Sequence, residues 1–123
     1  MPHFPDPESV DEAVYRVLEA VPTGRVTSYG AVASLLGLNT PRRPAAAMRR
    51  APDGLPWWRM VRADGGYPES LRLRALPHWD DEGTPRNDRG VAAGAFWVPT
   101  AAELAAVEAR VSELSAPDDE MDA

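Results

Sequence analysis

Helix-stopping signals fall so close together in the first fifty residues that only short helices fit between them. Val10, Val14, Val17, Leu18 and Val21 recur at helical spacing and predict an amphipathic helix over about 10–21. Ser9 and Glu12 form the matching capping box, and Pro22-Thr23-Gly24 stops the helix. Arg25-Val26-Thr27 reads as a short extended segment, after which Thr27 or Ser28 can cap a second helix of about 28–36 that ends at Gly37. Asn39-Thr40-Pro41 forms a turn. A third, alanine-rich helix of about 44–50 should begin at Pro44, because the residue before a proline disfavours helical geometry and leaves Arg43 extended. Two short helices across a tight glycine-containing turn make a helix-turn-helix.

Beyond it, Met60-Val61-Arg62 can form a strand and Asp64-Gly65-Gly66 a turn. A helix starts near Leu71 and should end at Pro77, leaving 78–91 irregular. Thr100 and Glu103 form a second capping box, ahead of a Leu104, Val107, Val111, Leu114 stripe suited to core packing. The expected fold is mainly α: a winged-helix-like helix-turn-helix with a short β element and an added C-terminal helix. Its expected units are a DNA-binding domain over 1–97, a helix over 98–116 packed on it, and an acidic disordered tail over 117–123.

A chain of 123 residues suits one modest core. It has no cysteine, which excludes disulfides and thiolate chemistry, and His3 and His78 are too few and too scattered for a metal site. No apolar run reaches the roughly 18 residues a membrane helix needs, and the N-terminus lacks a secretory pattern, so a metal-free cytoplasmic protein without a cofactor is expected. The net charge of −6 speaks against a polyanionic partner until its distribution is considered. Residues 1–23 carry five acids and one arginine, net −4; residues 24–76 carry nine arginines and three acids, net +6; residues 77–123 carry eleven acids and three arginines, net −8. A basic centre between acidic flanks is the footprint of a local nucleic-acid site.

Three motifs sit in this basic centre. Val21-Pro22-Thr23-Gly24-Arg25-Val26-Thr27-Ser28-Tyr29-Gly30-Ala31-Val32-Ala33 comes first, then Arg42 seven residues before Arg49, then Pro56-Trp57-Trp58-Arg59-Met60-Val61. Together they resemble the O6-alkylguanine-DNA alkyltransferases, and more closely the non-catalytic alkyltransferase-like branch. The resemblance covers about 10–76, with a weaker tail to about 97. Trp57 stands where the family's alkyl-accepting cysteine stands, and Trp58 replaces the proton-relaying histidine. An indole has no ionisable nucleophile at neutral pH, so no catalytic residue is expected.

The resemblance implies that Arg42 enters the DNA stack, with Arg43 as its neighbouring alternative. Tyr29 would rotate the extruded nucleotide, and Ala45, Ala46 and Arg49 would face the groove. It implies a lesion pocket of Tyr29, Pro56, Trp57, Met60 and Tyr67, in which the carbonyls of Trp57 and Met60 accept from the guanine amino group. Trp58 and Arg59 would be structural supports. The segment between Gly65 and Leu71 is short for the family, and Ala51 fills a slot where the family has asparagine. The implied partners are double-stranded DNA with O6-alkylguanine and nucleotide excision repair proteins, with the chain acting as a monomer. The alternative reading is a helix-turn-helix transcription regulator, against which the alanine-rich third helix argues, since few of its side chains could read base edges.

Overall fold

Asp6, not Ser9, starts the first helix. The structure, a computed structural model, describes residues 4–115. In it α1 runs Pro7–Ala20, and the Asp6 carboxylate accepts the Ser9 N–H at 2.8 Å. Pro7 fits the first helical turn, where its missing N–H costs nothing, so the helix begins three residues before the position the Ser9 box predicts. Val14, Val17 and Leu18 are buried along its inner face.

The chain then forms β1 (Thr27–Ser28), where the Ser28 hydroxyl accepts the Ala31 N–H at 3.0 Å and caps α2 (Tyr29–Leu36). Gly37, at φ +70°, closes α2 in the left-handed region that glycine adopts at least cost. The third helix, α3, spans Arg42–Arg49 and corrects the expectation that Arg43 is extended. Pro44 occupies the third helical position. The first four helical N–H groups have no intrahelical acceptor anyway, so a proline there breaks no bond, and the buried Pro44 ring holds the turn in place.

After a single 3-10 turn over Trp57–Arg59, β2 (Met60–Val61) pairs in parallel with β1, Thr27 opposite Met60 and Ser28 opposite Val61. The next helix, α4, spans Glu69–Glu82 and passes straight through Pro77, contrary to the expected stop. Pro77 withdraws one bond from the carbonyl of Leu73, which lies on an exposed turn, Leu73 itself being 65% accessible, so water can replace it. Downstream, the fully buried Trp79 and the bound Glu82 hold the last turn, and Gly83 at φ +70° ends it.

The segment expected to be irregular contains a hairpin, β3 (Arg86–Asn87) antiparallel to β4 (Gly90–Val91). The Asn87 side-chain oxygen accepts the N–H groups of Arg89 and Gly90, which shapes the tight turn. Gly65 and Gly90 bring this hairpin against the loop after β2. A Cβ on Gly65 would lie 2.2 Å from the Val91 oxygen, and one on Gly90 would lie 2.3 Å from the Gly65 oxygen.

The final helix, α5 (Ala101–Ser112), has the expected capping box, both Thr100–Glu103 bonds being present at 2.9 and 3.1 Å. Val107 and Val111 are buried in the core that α1, α2 and α3 also line. A second core of Val26, Val61, Ala75, Trp79, Val91 and Ala95 joins the strands to α4. The acidic tail expected at 117–123 lies outside the described residues. No described helix is long and apolar enough to cross a membrane.

Candidate nucleic-acid interface and base pocket

On α3 the arginines form two rows. Arg42 and Arg49 are seven residues apart, about two turns, and so share one face; Arg43 and Arg50 form the next row. The second row is claimed by α1. The Asp11 carboxylate accepts from Arg50 at 2.8 and 2.9 Å and from Arg43 at 3.2 Å, and Arg43 also donates to the Pro7 carbonyl at 3.2 Å. The Arg50 hydrogen bond holds the Asp11 carboxyl below the usual carboxylate range; burial opposes this, and Arg43 adds to it. Tyr15 adds a third tie, its hydroxyl donating to the Ala47 carbonyl at 2.7 Å. Arg42 and Arg49 are exposed and form no ion pair among the described residues. Of the alanines, Ala47 is fully buried, while Ala45 and Ala46 are half-buried.

Beside the free row lies a cavity of about 610 Å³ at the seam of the two cores. One wall comes from Tyr29 and from Ala45, Met48 and Arg49 of α3; the floor comes from the 51–55 loop; the far wall comes from Trp57, Trp58, Tyr67 and α4. Trp57 meets Trp58 edge-on at 5.8 Å and is tilted against Tyr67 at 6.2 Å. The Tyr67 hydroxyl donates to the Trp57 carbonyl at 3.1 Å, and the Met60 N–H donates to the same oxygen. Burial pushes the Tyr67 hydroxyl far up, with the nearby Tyr29 adding to the shift, so it remains a neutral donor. The Tyr29 hydroxyl is also raised by burial, partly offset by Arg62. Pro56 and Met60 do not border the cavity: the Met60 side chain is fully buried in the first core, and only its main chain belongs to the signature turn.

The far wall is fixed by one carboxylate. Glu82, at the end of α4, accepts from Arg59 at 2.7 and 3.0 Å, from the Trp58 indole N–H at 2.8 Å, and from the Gly24 N–H at 3.0 Å. Burial alone would raise its carboxyl; these donors outweigh it and hold the group below its ordinary range. Arg59 continues to the Val21 carbonyl and the Thr23 hydroxyl. The buried Trp79 donates its own N–H to the Trp58 carbonyl at 2.8 Å. Trp58 and Arg59 therefore bind the signature turn to α4 and to the turn after α1.

Three residues of the far wall escape sequence reasoning. His78, which the sequence leaves outside any site, stacks flat on Trp58 at 3.7 Å and meets Trp57 edge-on at 5.8 Å. Arg74 lies over the Trp57 ring at 5.5 Å, and Leu71 completes the face. Their spacing of three and four residues is the signal of one helix face, hidden once Pro77 is taken as a helix end. No cluster suited to a metal ion exists among the described residues.

A helix-turn-helix beside an aromatic cavity, with tryptophan where the family's alkyl acceptor stands, is the alkyltransferase-like arrangement. The chain belongs to the family of the 6-O-methylguanine DNA methyltransferase DNA binding domain, whose match covers residues 9–76. It is 38% identical over 61 residues to a DNA base-flipping protein of Escherichia coli (strain K12), 47% of each chain, and equally to one of Shigella flexneri. The chain thus aligns with about half the length of these curated relatives. Its fold matches that of S. pombe Atl1, solved in complex with damaged DNA containing O6-carboxymethylguanine. The TM-score is 0.66 at 20% identity, covering 75% of this chain and 97% of that one. A second S. pombe ATL–DNA complex matches at TM-score 0.64 and 21% identity, with the same coverage.

Proposed function

We propose that this chain is a non-catalytic sensor of alkylated DNA. It binds double-stranded DNA containing O6-alkylguanine as a monomer, extrudes the damaged nucleotide into the cavity, transfers nothing, and flags the site for nucleotide excision repair proteins. The observation that carries this reading is the position of Trp57, in the wall of an aromatic cavity that the exposed Arg49 also lines. A base in a duplex can be inspected only after extrusion, so such a site needs a wedge, a group that turns the nucleotide and a stacking pocket. Arg42 is the wedge, free and at the first position of α3. Arg43, the alternative, is held by Asp11. Tyr29 turns the nucleotide, Arg49 meets phosphate, and Ala45 and Ala46 let α3 approach the groove.

Trp57 offers the adduct an apolar, polarisable surface where active relatives have a nucleophile. With its carbonyl already accepting from Tyr67, an entering guanine amino group must displace that hydroxyl, and Tyr67 thereby becomes the pocket's gate. Trp58 commits its N–H to Glu82 and offers no base. Similarity to a DNA base-flipping protein and to a protein solved in complex with damaged DNA supports the same reading.

The test is fluorescence anisotropy at fixed salt on two duplexes, one with a single O6-methylguanine and one with guanine. A lesion preference of about tenfold or more, roughly 1.4 kcal/mol, is expected. Equal binding would sink the sensor and leave the regulator reading.

A further inference from the structure

Asp11 stands on α1, outside the cavity, yet it governs the charge that α3 presents. Its side chain is 13% exposed, and it takes three hydrogen bonds from the guanidinium groups of Arg43 and Arg50. Without it, α3 would carry four unpaired arginines in two adjacent rows. With it, only the row of Arg42 and Arg49 is left unpaired and exposed, Arg49 at the cavity itself. No other ion pair among the described residues involves α3, so this one carboxylate makes the selection.

We propose that Asp11 is a specificity-determining positioning residue that withholds Arg43 and Arg50 from DNA and so fixes the register in which α3 meets the duplex. The inference rests on the DNA-binding reading above and extends it. Phosphate contacts position a protein without reading sequence or damage. A second row of free arginines would let α3 settle on the backbone in registers that do not align the cavity with a nucleotide. Those registers serve undamaged and damaged duplexes equally, whereas extrusion needs the one register that places Arg42 at the stack. Releasing the second row therefore strengthens binding to undamaged DNA most, and the lesion preference narrows.

The experiment measures binding to O6-methylguanine and guanine duplexes across a salt series for three proteins: the unaltered chain, Asp11→Asn, and Asp11→Asn with Arg43→Gln and Arg50→Gln. Asparagine keeps the shape and removes the charge. The Tyr15–Ala47 bond still ties α3 to α1, and a thermal melt reports whether folding survives. For Asp11→Asn the plot of log affinity against log salt on the guanine duplex should steepen by about 0.9 per arginine released, up to about 1.8 for both, while lesion preference falls several-fold. The triple variant should return slope and preference to their original values, a rescue that a purely structural role for Asp11 does not produce.

An unchanged slope in Asp11→Asn, or failure of the triple variant to restore it, overturns the inference. Should Asp11→Asn not fold, Arg43→Gln/Arg50→Gln alone decides. An unchanged slope shows that both arginines are already withheld, and a shallower one overturns the inference. If the unaltered chain binds neither duplex, the DNA-binding reading falls and this inference with it; if it binds and only the variant results fail, this inference alone falls.

Discussion

The two walls of the cavity are held by opposite means. The signature wall is locked by a buried network in which Glu82, 8% exposed, and Arg59, 14% exposed, join Trp58 and the Gly24 backbone. The α3 wall is tethered by a carboxylate almost as buried, Asp11 at 13%, but to arginines nearer the surface, Arg43 at 29% and Arg50 at 55%, and its outer row is left free. Charges near water gain little from pairing, whereas a buried carboxylate stripped of its partners is costly. One wall therefore keeps a fixed shape, and the other is free to exchange its contacts. Under the proposed function, the rigid side belongs to the pocket and the adaptable side to the approach.

The comparison breaks most clearly at Glu82. Glu82→Ala takes the carboxylate from Arg59, leaves the Trp58 and Gly24 N–H groups without an acceptor, and should cost about 3 kcal/mol or more of stability, read by denaturant unfolding. A loss below about 1 kcal/mol would show that the signature wall is not held by this network. Trp57→Ala should act on recognition. Base stacking on aromatics is worth about 1–3 kcal/mol, so affinity for the lesion duplex should fall by roughly fivefold to a hundredfold, with guanine-duplex binding much less affected. Equal losses on both duplexes would remove Trp57 from the pocket.

On the α3 side, Arg42→Ala should weaken lesion binding more than Arg43→Ala, because only Arg42 is unpaired. The reverse order would make the Asp11 contacts irrelevant to DNA binding. The smallest effect is in acid. Both Glu82 and Asp11 titrate below their ordinary values when folded. Their stabilisation is therefore complete above the unfolded carboxylate range, about pH 4, and is lost as pH falls through the lower folded values. Melting temperature followed downward from neutral pH should show a steeper acid loss for the unaltered chain than for Glu82→Gln. Asp11→Asn should flatten the curve less, since Arg50 is mostly exposed.

Much of the fold was legible because its signals are local. Gly37, the Ser28 cap and the Thr100–Glu103 box each act within three or four residues, so the α2 end and α5 start fell where the chain placed them. The two proline departures share one cause. On local sterics alone, Pro44 and Pro77 each mark a helix boundary. The first sits where no helical bond is required, and the second is carried by downstream packing of Trp79 and Glu82, more than twenty residues from the signature turn they grip. Ending α4 early hid His78, and with it the helix face that His78 shares with Leu71 and Arg74.

By itself the sequence determined the chemistry: no thiol, a tryptophan pair in the Pro56–Val61 motif, a basic centre between acidic flanks, and a helix-turn-helix to carry it. These depend on residue identity and short spacing. Only the tertiary structure decided which arginines are free, which carboxylates claim the others, and which aromatic rings meet around the cavity. Those outcomes join residues 32 and 39 positions apart at Asp11, and up to 58 at Glu82. An ion pair's partner is set by where the folded chain brings it, and composition cannot tell a paired arginine from an unpaired one.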